Sequence, residues 1–521
     1  MIEISKVITA FAKSNGDWIR LERATDGWSG GGITVSIHNQ DVLIDAVGVD
    51  VERVSLRWAL NLPANPRILG DHWERGYGDL EWRNVVAERR LPWYAVIVGA
   101  DHHFAIGVKT GAASFANWRV DEGGLSLDLD LRNGGTGVQL GARRLKAASI
   151  VWKFGVPNAF HAAREICRVM CEKPLKVKEP VYGFNDWYYI YGNNSEQTVL
   201  RDSATLSDLA SHENRPYSVI DAGWQVNFGC NGGPWDRGNE RFPDLPRLAQ
   251  KMKDLGVRPG IWMRPLYADL KTNESRFLAQ HPGKDSPREV LDPSMTENLE
   301  QVTQDVARLR EWGFELIKHD FSTFDLLGKW GFQMDRDITA GGWHFADRTR
   351  TTAEIITALY QAIRDGAKDA VVIGCNTVSH LAAGWVELQR TGDDTSGKQW
   401  ERTRKMGINT LAYRMPQHET FYECDADCVG LTHQIPWHLN QQWLDLLAHS
   451  GTPLFVSASP DALGSEQKKN LRAAFARAAV RGPVAEPMDW MATTTPRIWK
   501  TSEGLKTYDW AESGGVLDPA D

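Results

Sequence analysis

The fold is decided by the stretch Glu315-Leu316-Ile317-Lys318-His319-Asp320-Phe321. An apolar run of this length that follows the helix stop Trp312-Gly313 is typical of a short parallel strand covered on both faces. The strand ends in Lys318 and Asp320, and burying two such charges is costly unless they are paired or functional. Two interpretations stand at this point, a structural ion pair at a strand end and a part of a functional site.

Length and composition restrict the possible architectures and partners. The chain has 521 residues, more than a single core usually holds, so at least two domains are expected, one of which has room to be a barrel. The formal net charge of -8 and the absence of a basic run disfavour nucleic acid and anionic membranes as partners. The start of the chain lacks the features of a signal peptide and no apolar window is long enough to span a bilayer, so a cytoplasmic location is expected.

The six cysteines do not form a disulfide or zinc pattern. The pairs Cys167-x3-Cys171 and Cys424-x3-Cys428 have the wrong spacing for a zinc site, and no His pair accompanies them. Buried free thiols are therefore predicted, and no metal or cofactor is expected. The 22 tryptophans are many for this length, and their rings offer apolar faces to sugars as well as to a core.

Residues 1–158 have the texture of a β-sandwich domain. Short runs with period-two alternation are separated by Gly, Asn and Asp turns. The loop 70–82 differs, because it combines aromatic residues, carboxylates and three glycines. It is predicted either to reach into a neighbouring site or to form a rigid turn on its own domain. A helical linker is predicted for residues 159–180.

Residues 181–482 alternate strands with helices, which predicts a catalytic (β/α)8 TIM barrel. The helix with the clearest pattern, an apolar stripe from Leu299 to Trp312, is predicted to begin with a Ser294-x-x-Glu297 capping box and to stop at Gly313. A doubly wound open sheet is the alternative, but no Gly-rich phosphate turn follows the first strand. Residues 483–521 are predicted to form a short C-terminal β tail with one hairpin around Glu503-Gly504, and a reduced β domain is the alternative. The predicted fold class is thus multidomain α/β plus β.

Polar residues at the C-terminal ends of the barrel strands define the candidate site. Carboxylates and tryptophans converge there without a His cluster, which disfavours metal-dependent hydrolysis. Asp320 and Asp393 follow strands four and six and are expected on opposite walls of one barrel mouth. There they could approach to roughly 5 to 5.5 Å, the separation at which paired carboxylates cleave a glycoside with retention. The strand ends carry Asn185, Asp186, Trp187, Asp221, Trp224, Trp262, Arg264, Lys318, Asp320, Cys375, Asn376, Arg390, Asp393, Asp394, Asp425 and Asp427.

Seven segments in this order resemble the α-galactosidase and raffinose-synthase family, glycoside hydrolase family 36 of clan D. The resemblance covers most of residues 180–480, and the loop 70–82 resembles a segment that this family sends from the sandwich toward the barrel. The segments are Gly183-Phe-Asn-Asp-Trp187, Ile220-Asp-Ala-Gly-Trp-Gln225, Arg241-Phe-Pro243, Gly260-Ile-Trp-Met-Arg-Pro265, Leu291-Asp-Pro-Ser294, Trp312-Gly-Phe-Glu-Leu-Ile-Lys-His-Asp-Phe321 and Arg390-Thr-Gly-Asp-Asp394.

The resemblance implies a retaining double displacement through a covalent glycosyl-enzyme. Asp320 matches the nucleophile and Asp393 the acid/base, with the adjacent Asp394 as the alternative proton donor. Lys318 is expected to keep Asp320 ionised. The substrate-binding residues implied by the resemblance, or expected from their place at a strand end, are Asp221, Lys318, Arg390, Trp224, Trp262, Asp186, Cys375 and, from the sandwich, Trp73.

Two departures from the family pattern affect the choice of sugar. Many members have a second aspartate where this chain has Ala222, and a Trp where it has His319. A missing carboxylate leaves a sugar hydroxyl unpaired, which costs about 1 to 3 kcal/mol.

The predicted function is therefore a retaining α-glycosidase, most simply an α-galactosidase that acts on small oligosaccharides or glycosides. The alternatives are an α-galactosyl transferase of the raffinose-synthase type and a clan D enzyme for α-N-acetylgalactosaminides or β-L-arabinopyranosides. A non-catalytic sugar-binding protein is the third alternative. The chain is also compatible with a homo-oligomer.

Overall fold

The computed structural model describes residues 6–100, 103–155, 158–210, 213–268, 271–280, 282–283 and 289–510. No helix in these ranges is both long enough and apolar enough to cross a membrane. The domain boundaries drawn from the sequence stay predictions.

The first part of the chain forms a thirteen-stranded antiparallel sheet. Its order is β7-β9-β10-β13-β5-β4-β3-β2-β1-β6-β12-β11-β8. Buried and partly exposed side chains alternate along β1 and β5, as a sheet with one face on a core requires. The strands are β1 Thr9–Ser14, β2 Asp17–Ala24, β3 Gly27–Gly30, β4 Ile33–His38, β5 Asp41–Ala46, β6 Arg53–Ala59, β7 Arg67–Gly70, β8 Leu91–Pro92, β9 Tyr94–Val98, β10 His103–Val108, β11 Phe115–Asp121, β12 Gly124–Asp130 and β13 Leu145–Phe154.

Trp93 closes this sheet on itself. It lies between β8, at one edge, and β9, near the other edge, with a positive φ of 68°. Its N–H donates to Ala116 O at 2.9 Å, and its carbonyl accepts from Val108 N at 3.0 Å. The two edges of the sheet are thereby brought together around a shared core, and the predicted sandwich is confirmed.

The second part contains a closed parallel barrel. β14 pairs with both β15 and β22, and β21 pairs with β22, so the sheet has no free edge there. The seventh barrel strand is split into β20 and β21 around Ala426 and Asp427, and β20 pairs with β19. The predicted eight-stranded barrel is therefore confirmed. Its strands are β14 Tyr182–Asn185, β15 Tyr217–Ile220, β16 Arg258–Met263, β17 Leu316–His319, β18 Val371–Gly374, β19 Leu388–Arg390, β20 Glu423–Asp425, β21 Cys428–Leu431 and β22 Leu454–Ala458.

Alternation along β17 decides which of its side chains reach the inside of the barrel. Leu316 belongs to the barrel-interior cluster, whereas Ile317 packs in the larger core outside. His319 also points outward, toward the ring of Tyr360 on the helix Thr352–Ala367, at a centroid distance of 5.9 Å. Lys318 and Asp320 therefore belong to the inward set, at the end of the barrel where the strands finish.

The helices surround the barrel, apart from α1, which packs on β9, β10 and β13 of the sandwich. Between α9 and α10, Thr403–Asn409 forms a π-helix. The helices are α1 Ala159–Met170, α2 Trp187–Ile190, α3 Glu196–Leu209, α4 Leu245–Asp254, α5 Thr296–Glu311, α6 Ser322–Leu327, α7 Thr352–Ala367, α8 Ser379–Ala382, α9 Trp400–Arg402, α10 Thr410–Arg414, α11 Trp437–Ser450 and α12 Ser465–Ala478.

The capping box predicted for α5 is wrong. The N-cap is Met295, which makes no side-chain capping bond, because the Ser294 hydroxyl accepts from Asp347 N at 3.0 Å instead. The predicted stop at Gly313 is confirmed, since this residue follows the helix with a φ of 102°. A capping box that the sequence analysis did not name opens α7, between Thr351 and Glu354.

The tail contains a three-stranded sheet of β23 Glu486–Pro487, β24 Ile498–Thr501 and β25 Gly504–Thr507. The predicted hairpin is confirmed, with Gly504 at a φ of 102° after the turn. Lys506 donates to Asp445 of α11 at 3.0 Å, and this contact fixes the hairpin to the barrel.

Candidate active site

A cavity of about 290 Å³ lies at the C-terminal ends of the barrel strands, where the sequence placed the site. Its size is at the lower end of the range for small-molecule sites. Four carboxylates, three cations and several aromatic rings surround it. The lining residues are Arg75, Trp187, Asp221, Ala222, Asn231, Trp262, Lys318, Asp320, Phe321, Trp330, Phe332, Asp393, Asp394 and Arg402.

Asp320 is held at the end of β17 by three hydrogen bonds. Its backbone N–H donates to Met263 O at 3.0 Å. Its Oδ1 accepts from Phe321 N at 2.8 Å, and its Oδ2 accepts from Trp262 Nε1 at 3.2 Å. Phe321 has a φ of 62°, so the chain turns sharply directly after the carboxylate. Asp320 is thereby fixed on the cavity wall with an aromatic ring beside it.

The direct partner of Lys318 is Asp221, and the expected contact between Lys318 and Asp320 is corrected accordingly. Lys318 Nζ lies 2.7 Å from Asp221 Oδ2, which also accepts from Asn185 Nδ2 at 2.7 Å. Burial opposes the charge on Lys318, but the acidic groups around it, Asp221 first among them, together outweigh burial and hold the pKa of Lys318 well above its ordinary value. The charge of Lys318 acts on Asp320 only as a smaller, longer-range attraction.

Asp393 is held by two guanidinium groups from different parts of the chain. Arg75 Nη2 of the loop 70–82 lies 2.7 Å from Asp393 Oδ1, and Arg402 Nη2 of α9 lies 3.1 Å from Oδ2. The side chain of Asp393 keeps about a fifth of its surface exposed, 21%, on the cavity side. Each carboxylate oxygen therefore has one cationic partner.

Asp394 also faces the cavity but is held from below. Arg390 Nη2 lies 3.2 Å from Asp394 Oδ1 and 2.9 Å from Asp427 Oδ2. Burial opposes the Asp394 charge, and the nearby cations, Arg390 first among them, outweigh it and lower the pKa of Asp394 to about 2. Arg390 therefore links Asp394 to Asp427 beneath the cavity wall.

Three of the predicted sugar contacts lie beneath the cavity wall. Trp224 is fully buried and donates from Nε1 to Trp262 O at 2.8 Å. Arg390 is 1% exposed, and its Nη1 lies 3.4 Å from the Sγ of the buried Cys375. These side chains support Trp262 and Asp394, which do line the cavity.

Asp186 lies behind the strand ends. It accepts from Asp221 N at 2.8 Å and from Asn194 Nδ2 at 3.0 Å. Burial raises the pKa of Asp186 to about 7, which the donated backbone hydrogen bond only partly opposes. It is a buried support for Asp221 and not part of the cavity lining.

The loop 70–82 does reach the barrel, but through Arg75 and not through Trp73. Trp73 is 3% exposed and packs edge-on against Trp93 in the sandwich, with ring centroids 5.2 Å apart. Two residues later, Arg75 enters the cavity. Of the two alternatives for this loop, the structure shows the one in which it reaches the neighbouring cavity. The residue that lines the cavity is Arg75 and not Trp73.

Several lining residues were not singled out from the sequence. Trp330 and Phe332 come from the segment between α6 and α7, and Asn231 comes from the segment after β15. Phe332 is 59% exposed, although it is a large apolar residue. The aromatic residues in this long connection were the signal that the sequence contained.

Among the described residues, no three His, Cys, Asp or Glu side chains are grouped as a metal site requires. Cys167, Cys171, Cys375, Cys424 and Cys428 are buried free thiols, as predicted.

No family model matches the sequence. Solved structures with the same overall fold include an α-galactosidase from Thermus thermophilus in complex with p-nitrophenyl α-D-galactopyranoside, with a TM-score of 0.63, 16% identity and coverage of 96% of this chain and 99% of that one. A family GH36 α-galactosidase from Geobacillus stearothermophilus in complex with 1-deoxygalactonojirimycin gives a TM-score of 0.62 and 13% identity, with coverage of 94% and 79%. At these identities the comparisons show that the chain shares the sandwich-and-barrel fold of these proteins.

Proposed function

We propose that this protein is a retaining α-glycosidase, and most specifically an α-galactosidase. The observation that carries the proposal is that Asp320 and Asp393 line one cavity at the barrel mouth, with Trp262 beside Asp320. Glycoside cleavage uses two such carboxylates, one on each side of the bond that breaks. The similar structures hold galactose-type ligands in the same fold, which supports the choice of sugar.

In this proposal Asp320 is the nucleophile. Its Oδ2 attacks the anomeric carbon while the glycosidic oxygen leaves, and a glycosyl ester forms. The N–H groups of Trp262 and Phe321 donate to its two oxygens and so fix the direction of attack. Water then cleaves the ester, and the second inversion restores the α configuration.

Asp393 is the acid/base. It gives a proton to the leaving oxygen in the first step and takes one from the attacking water in the second. Asp394 lines the same cavity and is the alternative proton donor.

Asp221 and Lys318 are the proposed ligands of sugar hydroxyls. They form an ion pair on the cavity wall, so each can exchange part of its contact for a hydroxyl without leaving a buried charge unpaired. Ala222 lines the same wall with a methyl group. A methyl group offers no hydrogen bond to a sugar hydroxyl, so the sugar is selected at this position without a second carboxylate.

The test is hydrolysis of an aryl α-galactoside by wild type and by Asp320→Ala, with the first-formed sugar identified by proton NMR. We expect loss of turnover in Asp320→Ala and the α anomer as first product of the wild type. The control is Asp369→Ala, because Asp369 is exposed and lies at the opposite end of the barrel strands, just before β18. The β anomer as first product would exclude retention.

The same assay over a panel of aryl glycosides tests the sugar. The panel contains the α-galactoside, the α-N-acetylgalactosaminide, the α-glucoside and the β-L-arabinopyranoside. We expect the α-galactoside to have the highest kcat/KM. Measuring the partition of product between water and an acceptor sugar separates hydrolysis from transfer.

A further inference from the structure

We propose that the β-sandwich carries a second sugar-binding site, a groove on the polar face of its sheet that takes a neutral oligosaccharide. The groove has a volume of about 450 Å³, compared with about 290 Å³ for the cavity at the barrel mouth. Its volume lies within the range of small-molecule sites. The inference goes beyond the proposed function, because binding in the groove requires neither Asp320 nor turnover.

The floor of the groove is one face of the sandwich sheet. Phe11 of β1 pairs with Ser55 of β6, and Ser55 pairs with Asp128 of β12. Asp128 in turn pairs with Asn117 of β11. Because the side chains of directly opposite residues in an antiparallel sheet lie on the same face, these four side chains form one row across four strands.

The polar side chains of this face are buried, unlike those of a sheet face that is open to solvent. Asn117 is 7% exposed, Ser126 is 4% exposed and Arg53 is 9% exposed. The connection between α6 and α7 covers part of the face, where Arg53 Nη2 donates to Arg336 O at 3.2 Å and also binds Asp337. The groove is therefore an enclosed polar space and not an ordinary outer surface.

Asn117 has a polar atom that the described part of the chain leaves unsatisfied. Its Oδ1 is buried and accepts no hydrogen bond from any described residue. Leaving a buried acceptor unpaired is costly, so such an atom calls for a donor. Since Asn117 lines the groove, a hydroxyl of a bound sugar can supply that donor.

The arginines of the groove favour a neutral ligand over an anion. Four of the five arginines that line it bind a carboxylate, and the fifth, Arg336, is exposed. An anion would have to compete with these carboxylates, whereas a hydroxyl can donate to a carboxylate and accept from a guanidinium without separating the pair. The pairs are Arg53 with Asp130 at 3.3 Å, Arg57 with Asp121 at 2.7 Å, Arg90 with Asp335 at 3.0 Å and Arg119 with Asp128 at 2.5 Å.

Trp18 of β2 adds an aromatic surface to the polar floor. It lies on the same face, because it pairs with Lys13, which also pairs with Arg53. It lines the groove and is 43% exposed, although it is a large apolar side chain. An exposed indole ring offers an apolar face to the C–H surface of a sugar. A wholly apolar ligand such as a lipid would leave the polar floor without partners.

Two segments of the chain take part in both cavities. In the loop 70–82, Trp73 lines the groove and Arg75 lines the cavity at the barrel mouth. In the connection between α6 and α7, Ile338 lines the groove and Phe332 lines the cavity at the barrel mouth. The two cavities therefore share a wall, and a sugar chain bound in the groove stays near the barrel mouth. Such tethering raises the local concentration of chain ends there.

The experiment measures the binding of stachyose, a neutral oligosaccharide, by isothermal titration calorimetry. The full chain carries Asp320→Ala, so that the sugar is not consumed. We expect two stachyose molecules per chain. Adding Trp18→Ala, or separately Asn117→Ala, is expected to weaken the binding of one of them by about tenfold and to leave the other unchanged, because each variant removes one contact of the groove.

The matched control is Phe154→Ala in the same Asp320→Ala chain. Phe154 is also an aromatic residue of the sandwich, is 37% exposed and lies outside the groove lining. We expect the control to bind stachyose like its parent. Titration with inorganic phosphate tests the ligand class, and we expect stachyose to bind more tightly than phosphate.

Unchanged stachyose binding in both Trp18→Ala and Asn117→Ala would overturn the inference, as would tighter binding of phosphate than of stachyose. Melting curves establish that the variants are folded, and Asn117→Ala gives the comparison if Trp18→Ala does not fold. If wild type cleaves no glycoside but Trp18→Ala weakens stachyose binding, the proposed function fails and the groove remains a sugar site. If wild type is active and neither variant alters stachyose binding, only the groove fails.

Discussion

At the scale of single residues, the pair Asp221 and Lys318 is the most sensitive contact of the site. Both side chains are at least 90% buried, and their charged atoms are 2.7 Å apart. Removing one partner leaves the other charge buried without compensation, whereas removing both leaves none. The pair therefore contributes to stability as a unit.

Asp221→Ala is expected to lower the free energy of unfolding by about 3–5 kcal/mol, because it leaves the charge of Lys318 buried without a partner. The double variant Asp221→Ala with Lys318→Met is expected to recover most of that loss. Urea denaturation of the wild type, the two single variants and the double variant gives the coupling energy. Simple additivity of the two single effects would mean that the ion pair does not form.

Asp186 makes the stability depend on pH. In the folded protein its pKa is about 7, whereas the ordinary value is 3.8. Between these two values the folded state holds a proton that the unfolded state has released, so the contribution of Asp186 to the free energy of unfolding falls as the pH rises from about 4 to about 7.

Asp186→Asn is expected to remove this contribution. The difference in unfolding free energy between variant and wild type should then increase in favour of the variant as the pH is raised from 5 to 8. Urea titrations at several pH values measure it. A difference that does not change with pH would show that Asp186 is ionised throughout this range in the folded protein.

At the scale of elements, the break in the seventh barrel strand places a buried carboxylate under the site. Asp427 lies between β20 and β21 with a φ of 68°. Its Oδ2 is 2.9 Å from Arg390 Nη2, is 2.9 Å from Thr395 N and accepts from the Tyr188 hydroxyl. The break interrupts the strand at Asp427 and lets the Asp427 side chain hold Arg390 below Asp394.

Asp427→Asn is expected to lower the free energy of unfolding by about 1–3 kcal/mol and to lower kcat, because Arg390 loses a charged partner while keeping Asp394. Asn accepts a positive φ, so only the charge changes. Asp427→Ala also places Ala at a positive φ, which Ala adopts poorly, so the free energy of unfolding should fall further than in Asp427→Asn. Equal stability of both variants and wild type, by urea denaturation, would contradict this role.

The elements were largely predictable, because their patterns are local. The apolar run of β17 and the helix α5 lie where the sequence placed them, within a few residues. The break at Asp427 was not predictable, since a positive φ at a non-glycine residue is imposed by contacts with Arg390 and Thr395. Likewise Ser294 carried a valid capping signal that a distant backbone N–H took over.

The site was predictable as a set of positions but less so as a set of contacts. The strand ends identify Asp221, Lys318, Asp320 and Asp393 because barrel topology brings strand ends together. The partner of Lys318 was predicted two residues away and lies 97 away, on another strand. Carboxylates at several strand ends compete for one cation, and sequence spacing does not decide which of them binds it.

At the scale of the whole molecule, the loop 70–82 couples the sandwich to the barrel. Its Asp71 binds Arg414 at 2.9 Å and Gln417 at 2.7 Å, all three side chains being buried. The sandwich and barrel therefore share a polar network that is closed to water. Separating the sandwich from the barrel would leave these charges without their partners. We therefore expect the sandwich and the barrel to unfold together.

Asp71→Ala tests this coupling. It leaves the buried Arg414 without its carboxylate, so we expect a loss of about 3–5 kcal/mol in the free energy of unfolding. We expect one calorimetric transition for the wild type and two for Asp71→Ala, because the sandwich and the barrel then melt separately. The control is Asp79→Ala, whose carboxylate is half exposed and pairs with His72 inside the same loop. A single transition with unchanged midpoint in Asp71→Ala would mean that other contacts join the two parts. Splitting accompanied by loss of turnover would show that the loop must stay docked for Arg75 to reach Asp393.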